Sequence, residues 1–282
     1  MTTSSQSSRA RHSSRSTTAL PSPLRIGLSR VIPELKMFYR RPEQLVLTFS
    51  MPAIICLLLG SIFSEKIAGT GTTTSAVIAA SMLAYGILST SFINLGISVA
   101  ADRETGALRR LRGTPATATS YFVGKIALVA VASIAEAVIL LAVGIFAFGL
   151  RLPAGINEWL TLGWVFALGI TSCSLLGILI SNVANNAVSA AVLTNGPAVS
   201  LQFISGTYVP IMVLPVWMLT IGSLFPVKWM AQGFRSVLLP PEMESFEPAG
   251  SWEHGRIFWV LAAWTVFGLL ACLKVFRWTE KR

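Results

Sequence analysis

Long uncharged runs alternate with short charged ones along this chain. Lys66 and Asp102 are separated by 35 uncharged residues, and Glu158 and Lys228 by 69. A bilayer-spanning helix needs about 20 mostly apolar residues, so these runs predict spans rather than a water-soluble core. Six fit, at about 43–63, 76–100, 120–148, 159–180, 187–208 and 257–273, with Pro52 as a kink in the first. The segment 209–226 is also apolar, but Pro210, Pro215 and Pro226 interrupt it. Non-helical backbone at membrane depth survives only where protein or a water cavity satisfies it. The segment therefore reads as a re-entrant hairpin of two short helices.

The charged stretches between spans carry their own pattern. ADRETGALRRLRGTPATATSYFVGK, residues 101–125, holds five basic and two acidic residues. Asp102 and Glu104 fall in a first helical turn, where the helix dipole favours anions, and the arginines fall toward the last, where it favours cations. Ala107, Leu108 and Leu111 form an apolar stripe. Gly113 permits a stop, Thr114 caps and Pro115 opens the next helix. A short rigid helix over 102–112 is expected, either as a basic anchor on lipid or as a surface that docks into a partner. Upstream, RVIPELKMFYRRP places Leu35, Phe38 and Tyr39 at helical spacing, with Arg40 among the charges of the polar side. That predicts an interfacial amphipathic helix over 25–42, or a plain juxtamembrane linker. Residues 1–24 are rich in Ser, Thr and Arg and read as a disordered basic tail, with an organelle transit peptide as the other reading.

Composition agrees with the pattern. Of 282 residues 53% are hydrophobic and 12% charged, about half the charged share usual in a soluble domain. The net charge of +10 would suggest nucleic acid on a soluble protein. Here no basic stretch is interleaved with aromatics, and topology explains the charge better. With six spans, seventeen basic residues share the side of the two termini and five lie on the other. The positive-inside rule then puts both termini and the charged loop in the cytoplasm, with a short tail at 277–282. Cys56, Cys173 and Cys272 fall in apolar runs and read as buried small hydrophobes.

The loop 101–125 resembles that of ABC-2 type transporter permeases, with its E-x-G-T-L-x-x-L-x-x-T-P pattern. Glu104, Gly106, Leu108, Leu111, Thr114 and Pro115 match, and Ala107 stands where Thr is usual. The stretch 203–235 is similar to the same family through Ser205-Gly206, Pro210, Pro215, Trp217, Pro226 and Arg235. The likeness covers about residues 25–280 and is greatest to drug-resistance membrane subunits of the daunorubicin type. It implies an all-α integral membrane fold: a six-span domain over 43–276, the interfacial helix, a cytoplasmic coupling helix and an extracytoplasmic re-entrant hairpin. It implies two ABC ATP-binding subunits and a second permease copy as partners, in the plasma membrane. The coupling surface would include Asp102, Arg103, Glu104, Gly106, Leu108, Arg109, Arg110 and Leu111, joined by the interfacial helix. ATP and Mg would be held by the partner. The chain has no G-x-x-x-x-G-K-[ST] phosphate loop, since Thr119 stands where the first glycine belongs before Gly124-Lys125 and Ile126 follows.

Candidate path residues lie inside the spans. Glu136 is the one charge in the interior of the third span, Lys125 lying at its edge. It would contact a cationic substrate or carry a proton, or be tied off by Ser133 or a neighbour's Asn. Asn94, Asn195 and Gln202 would line a path or glue helices. Asn182, Asn185 and Asn186 read as a solvated turn. An autonomous proton-coupled carrier using Glu136 is the competing reading; carriers of that kind often show two related halves with broken helices in both, and only 209–226 is broken. A non-transporting membrane scaffold is the third class.

Overall fold

A computed structural model of the chain describes residues 42–112 and 118–275. The tail 1–24, the interfacial helix with Leu35, Phe38, Tyr39 and Arg40, the Thr114–Pro115 cap and the segment 277–282 lie outside the described residues, as do the side chains of Arg109 and Leu111.

Among the described residues the uncharged runs are mostly helical. α1 is Pro42–Ile62, with Pro52 inside it. The second span is one continuous rod of three parts: α2 (Thr74–Ile87), a π-helical segment (Leu88–Asn94) and α3 (Leu95–Glu104). The short α4 (Ala107–Arg112) follows, then α5 (Ala118–Phe148), α6 (Ile156–Ser181) and α7 (Ala187–Ile204). After a 3-10 turn come α8 (Val216–Gly222), α9 (Pro226–Leu238) and the last span, α10 (His254–Val275). Among the described residues there is no strand, and the Lys66–Thr73 bridge is isolated. Among the described residues five helices are long and apolar enough to cross a membrane, and Thr48–Ile62 of α1 forms a shorter apolar one.

Burial sets the hierarchy. The rod Thr74–Glu104 is the axis: 89% of its most apolar window is buried, against 22% for α5, α7 and α10. The axis can be approached closely because small residues face it. A Cβ on Gly177 of α6 would lie 2.7 Å from the Phe92 carbonyl oxygen and 2.9 Å from that of Ser91. The π segment is thus clasped backbone to backbone by α6.

Two expectations are corrected. The helix expected over 102–112 is divided: Asp102, Arg103 and Glu104 form the last turn of α3, and only Ala107–Arg112 is a separate helix. Gly106 makes the break, because it takes φ +70, which a residue with a Cβ resists. Of the two short helices expected within 209–226, α8 lies inside that range and α9 only begins at its end. Pro226 opens α9 at its first turn instead of closing the segment, since a proline there loses no hydrogen bond. The second arm therefore runs on to Leu238 through residues expected in a loop.

Candidate functional site

At the α4 end of the bundle, three consecutive charged residues each reach a different span. Asp102 accepts a hydrogen bond from the Tyr121 hydroxyl at 2.9 Å and pairs with Lys125 Nζ at 2.9 Å, both on α5. Lys125 also donates to Ser98 Oγ at 3.2 Å. Arg103 is 7% exposed. It donates through Nη1 to the Ser181 carbonyl at 2.5 Å and through Nη2 to Asn182 Oδ1 at 3.1 Å, closing on the end of α6. Glu104 accepts from the Ala187 backbone N–H at 3.0 Å, at the first residue of α7. A carboxylate there also meets the positive end of the α7 dipole. Helical geometry sends successive side chains about 100° apart, so three adjacent residues fan out to three neighbours.

This changes the role open to several predicted coupling residues. Asp102 and Arg103 are turned inward onto their own chain, and Leu108 is fully buried. The stripe beneath α4 thus seats it on the bundle, and Arg110 is exposed on α4. Asn182, expected in a solvated turn, is 8% exposed because Arg103 needs its oxygen, and its own amide donates to the Ile178 carbonyl. Asn186 caps α7 by accepting from Ser189 N at 2.7 Å.

At the opposite end α9 carries Lys228, Gln232 and Arg235 inward. Arg235 forms a fork with Glu247, Nε to Oε1 at 2.6 Å and Nη2 to Oε2 at 3.1 Å, and its Nη1 donates to Ser81 Oγ of α2 at 3.0 Å. Both side chains of the pair are 2% exposed or less. Gln232 Nε2 donates to the Trp252 carbonyl at 3.1 Å. Lys228 Nζ lies 3.7 Å from the Trp229 ring centroid. Burial pushes the Lys228 ammonium down to about 8, against the opposing pull of Glu247 and Glu253. Nearby, Gly69–Thr73, Phe148–Arg151 and Leu238–Glu242 line a cleft of about 600 Å³.

Between the two ends lies Glu136. It is fully buried, and neither carboxyl oxygen has a hydrogen-bond partner among the described residues. Its carboxyl carbon packs against Gly86 of α2, where a Cβ would come within 3.1 Å of it. The expected Ser133 contact is absent because Ser133 is engaged elsewhere, with Thr90 Oγ1 at 2.6 Å. The amides do not gather around it. Asn94 is half-buried on the π segment, Asn195 is exposed on α7, and Gln202 is buried with its Oε1 unpartnered among the described residues.

Three fastenings at the end of α3 thus tie the axis rod to α5, α6 and α7. The sequence profile of the ABC-2 type transporter family matches residues 31–239. The chain belongs to that family. It is a multi-pass membrane protein of the transporter class. It is 24% identical over 143 residues to the probable multidrug ABC transporter permease YbhR of Escherichia coli strain K12, and equally to YbhR of Escherichia coli O157:H7. The match takes in 51% of this ABC-2 chain and 38% of each relative.

Proposed function

We propose that this chain is the membrane subunit of an ATP-driven exporter for hydrophobic, drug-like or lipid-type molecules. It crosses the plasma membrane six times with both termini in the cytoplasm, and works with two ABC ATP-binding subunits that hold ATP and Mg. The observation that carries the reading is the junction of Asp102, Arg103 and Glu104. A force on α4 passes through the last turn of α3 into α5, α6 and α7 at once. Arg110 supplies an exposed cation on α4 for the ATPase to grip. The α8–α9 hairpin lies at the outer face and covers the exit.

The test is transport in sealed vesicles with the cognate ATPase. Arg110→Glu is expected to abolish ATP-driven transport, by 10-fold or more, while membrane insertion is unchanged. Transport of equal rate in vesicles lacking the ATPase would instead support the proton-coupled reading, which the unpartnered Glu136 carboxyl favours.

A second copy of the permease completes the transporter. Val188, Val192, Asn195, Val199 and Phe203 are exposed along α7. An amide turned outward in mid-span is costly in hydrocarbon, and amides commonly join helices in membranes. Asn195→Cys is expected to form a disulfide-linked dimer under mild oxidation, visible on a non-reducing gel, since the three native cysteines are buried. A monomer under all oxidising conditions would exclude α7 as the contact.

A further inference from the structure

In the half of the bundle nearer α4, a cavity of about 80 Å³ opens between α1, the π segment with α3, and α5. Its lining is divided. Leu95, Leu128, Val129 and Ala132 give an apolar wall, while Thr90, Asn94 and Ser98 recur at four-residue intervals on the axis rod. Thr48 of α1 and Lys125 complete the ring. Lys125 is paired with Asp102 at 2.9 Å, so the charge it brings to the lining is offset and does not repel a cation.

Thr90 lines the cavity and shares its hydroxyl with Ser133, which does not line it. Thr90 also donates to the Gly86 carbonyl at 3.0 Å, and Gly86 is the residue against which the Glu136 carboxyl packs. One hydroxyl pair thus stands between a polar-lined cavity and a buried carboxyl that has no partner among the described residues. An unsatisfied carboxyl is costly in such surroundings, and an ammonium is the ligand that would satisfy it best. The cavity holds a head group and not a whole drug, so the apolar body of such a ligand would remain in the lipid leaflet.

We infer that this cavity admits the head of an amphiphilic amine from the leaflet on the α4 side, and that Glu136 is the counter-ion that receives it when the Thr90–Ser133 pair parts. The inference rests on the export reading and narrows its substrate class to lipophilic amines.

The test uses the full chain in lipid nanodiscs without the ATPase, so its result is independent of whether ATP drives transport. Radiolabelled dodecylamine is compared with dodecanol, which has the same chain and no charge, with protein-free nanodiscs as background. Saturable dodecylamine binding is expected, at least 10-fold tighter than dodecanol. Glu136→Gln should remove that preference and leave dodecanol binding unchanged. Ala132→Phe, which fills the cavity, should remove binding of both, with size-exclusion profiles showing that each variant is folded. Equal dodecylamine affinity in wild type and Glu136→Gln overturns the assignment of Glu136. Undiminished binding in folded Ala132→Phe overturns the cavity, and so does the absence of saturable binding to the wild type. ATP-driven transport with the partner present remains the separate measure of export.

Discussion

Arg235→Leu is expected to lose about 3–5 kcal/mol of stability, because it leaves the Glu247 carboxylate buried without its partner. The pair is two-pronged and nearly dry, and the third guanidinium donor holds α2 through Ser81. The variant should therefore appear in membranes at low level and melt well below wild type when followed by fluorescence-detected size exclusion in detergent. Replacing both partners removes the orphaned charge. The double change Arg235→Leu with Glu247→Leu should recover most of the loss, since apolar replacements for a buried pair are often neutral. If the double variant is as unstable as the single one, shape and the Ser81 contact matter more than charge.

The second large effect is expected at Arg103. Its two charged hydrogen bonds to the end of α6 are worth about 1.5–3 kcal/mol each, and they sit between α4 and the spans. Arg103→Ala should leave the ATPase bound and hydrolysing, yet reduce transport by 10-fold or more. Arg103→Lys should rescue only partly, because an ammonium is a point donor and cannot reproduce the planar fork that reaches both the Ser181 carbonyl and Asn182. Simultaneous measurement of hydrolysis and transport decides it. Wild-type transport by Arg103→Ala would mean that force reaches the spans by another route.

The spans were legible because hydrocarbon imposes a length and excludes charge, and both constraints leave marks in a single sequence. Helices were expected at 120–148 and 159–180, and α5 and α6 occupy Ala118–Phe148 and Ile156–Ser181. The junction was half legible. The charges of 102–112 stood out, but their direction did not, because a fan of three adjacent residues pairs with partners 19, 79 and 83 positions away. Gly106 fits an uninterrupted helix pattern as easily as a break, and only its positive φ distinguishes them. In α9 a signal was present. Lys228, Gln232 and Arg235 fall on one helical face, which marks an amphipathic helix with something polar to meet. The π segment left no mark, because LSTSFIN is composed like any small-residue stretch of a span.

That segment has a mechanical meaning for the junction beneath it. An i→i+5 turn accommodates one residue more than an α turn, and each residue of an α-helix turns the chain by about 100°. The seven residues Leu88–Asn94 therefore set the azimuth at which everything below them leaves the membrane. Wound as ordinary α-helix, the same rod would swing its charged tip around its own long axis, and the three fastenings would point at the wrong neighbours. The widened turn thus fixes the rotation at which the charged end of the rod meets α5, α6 and α7.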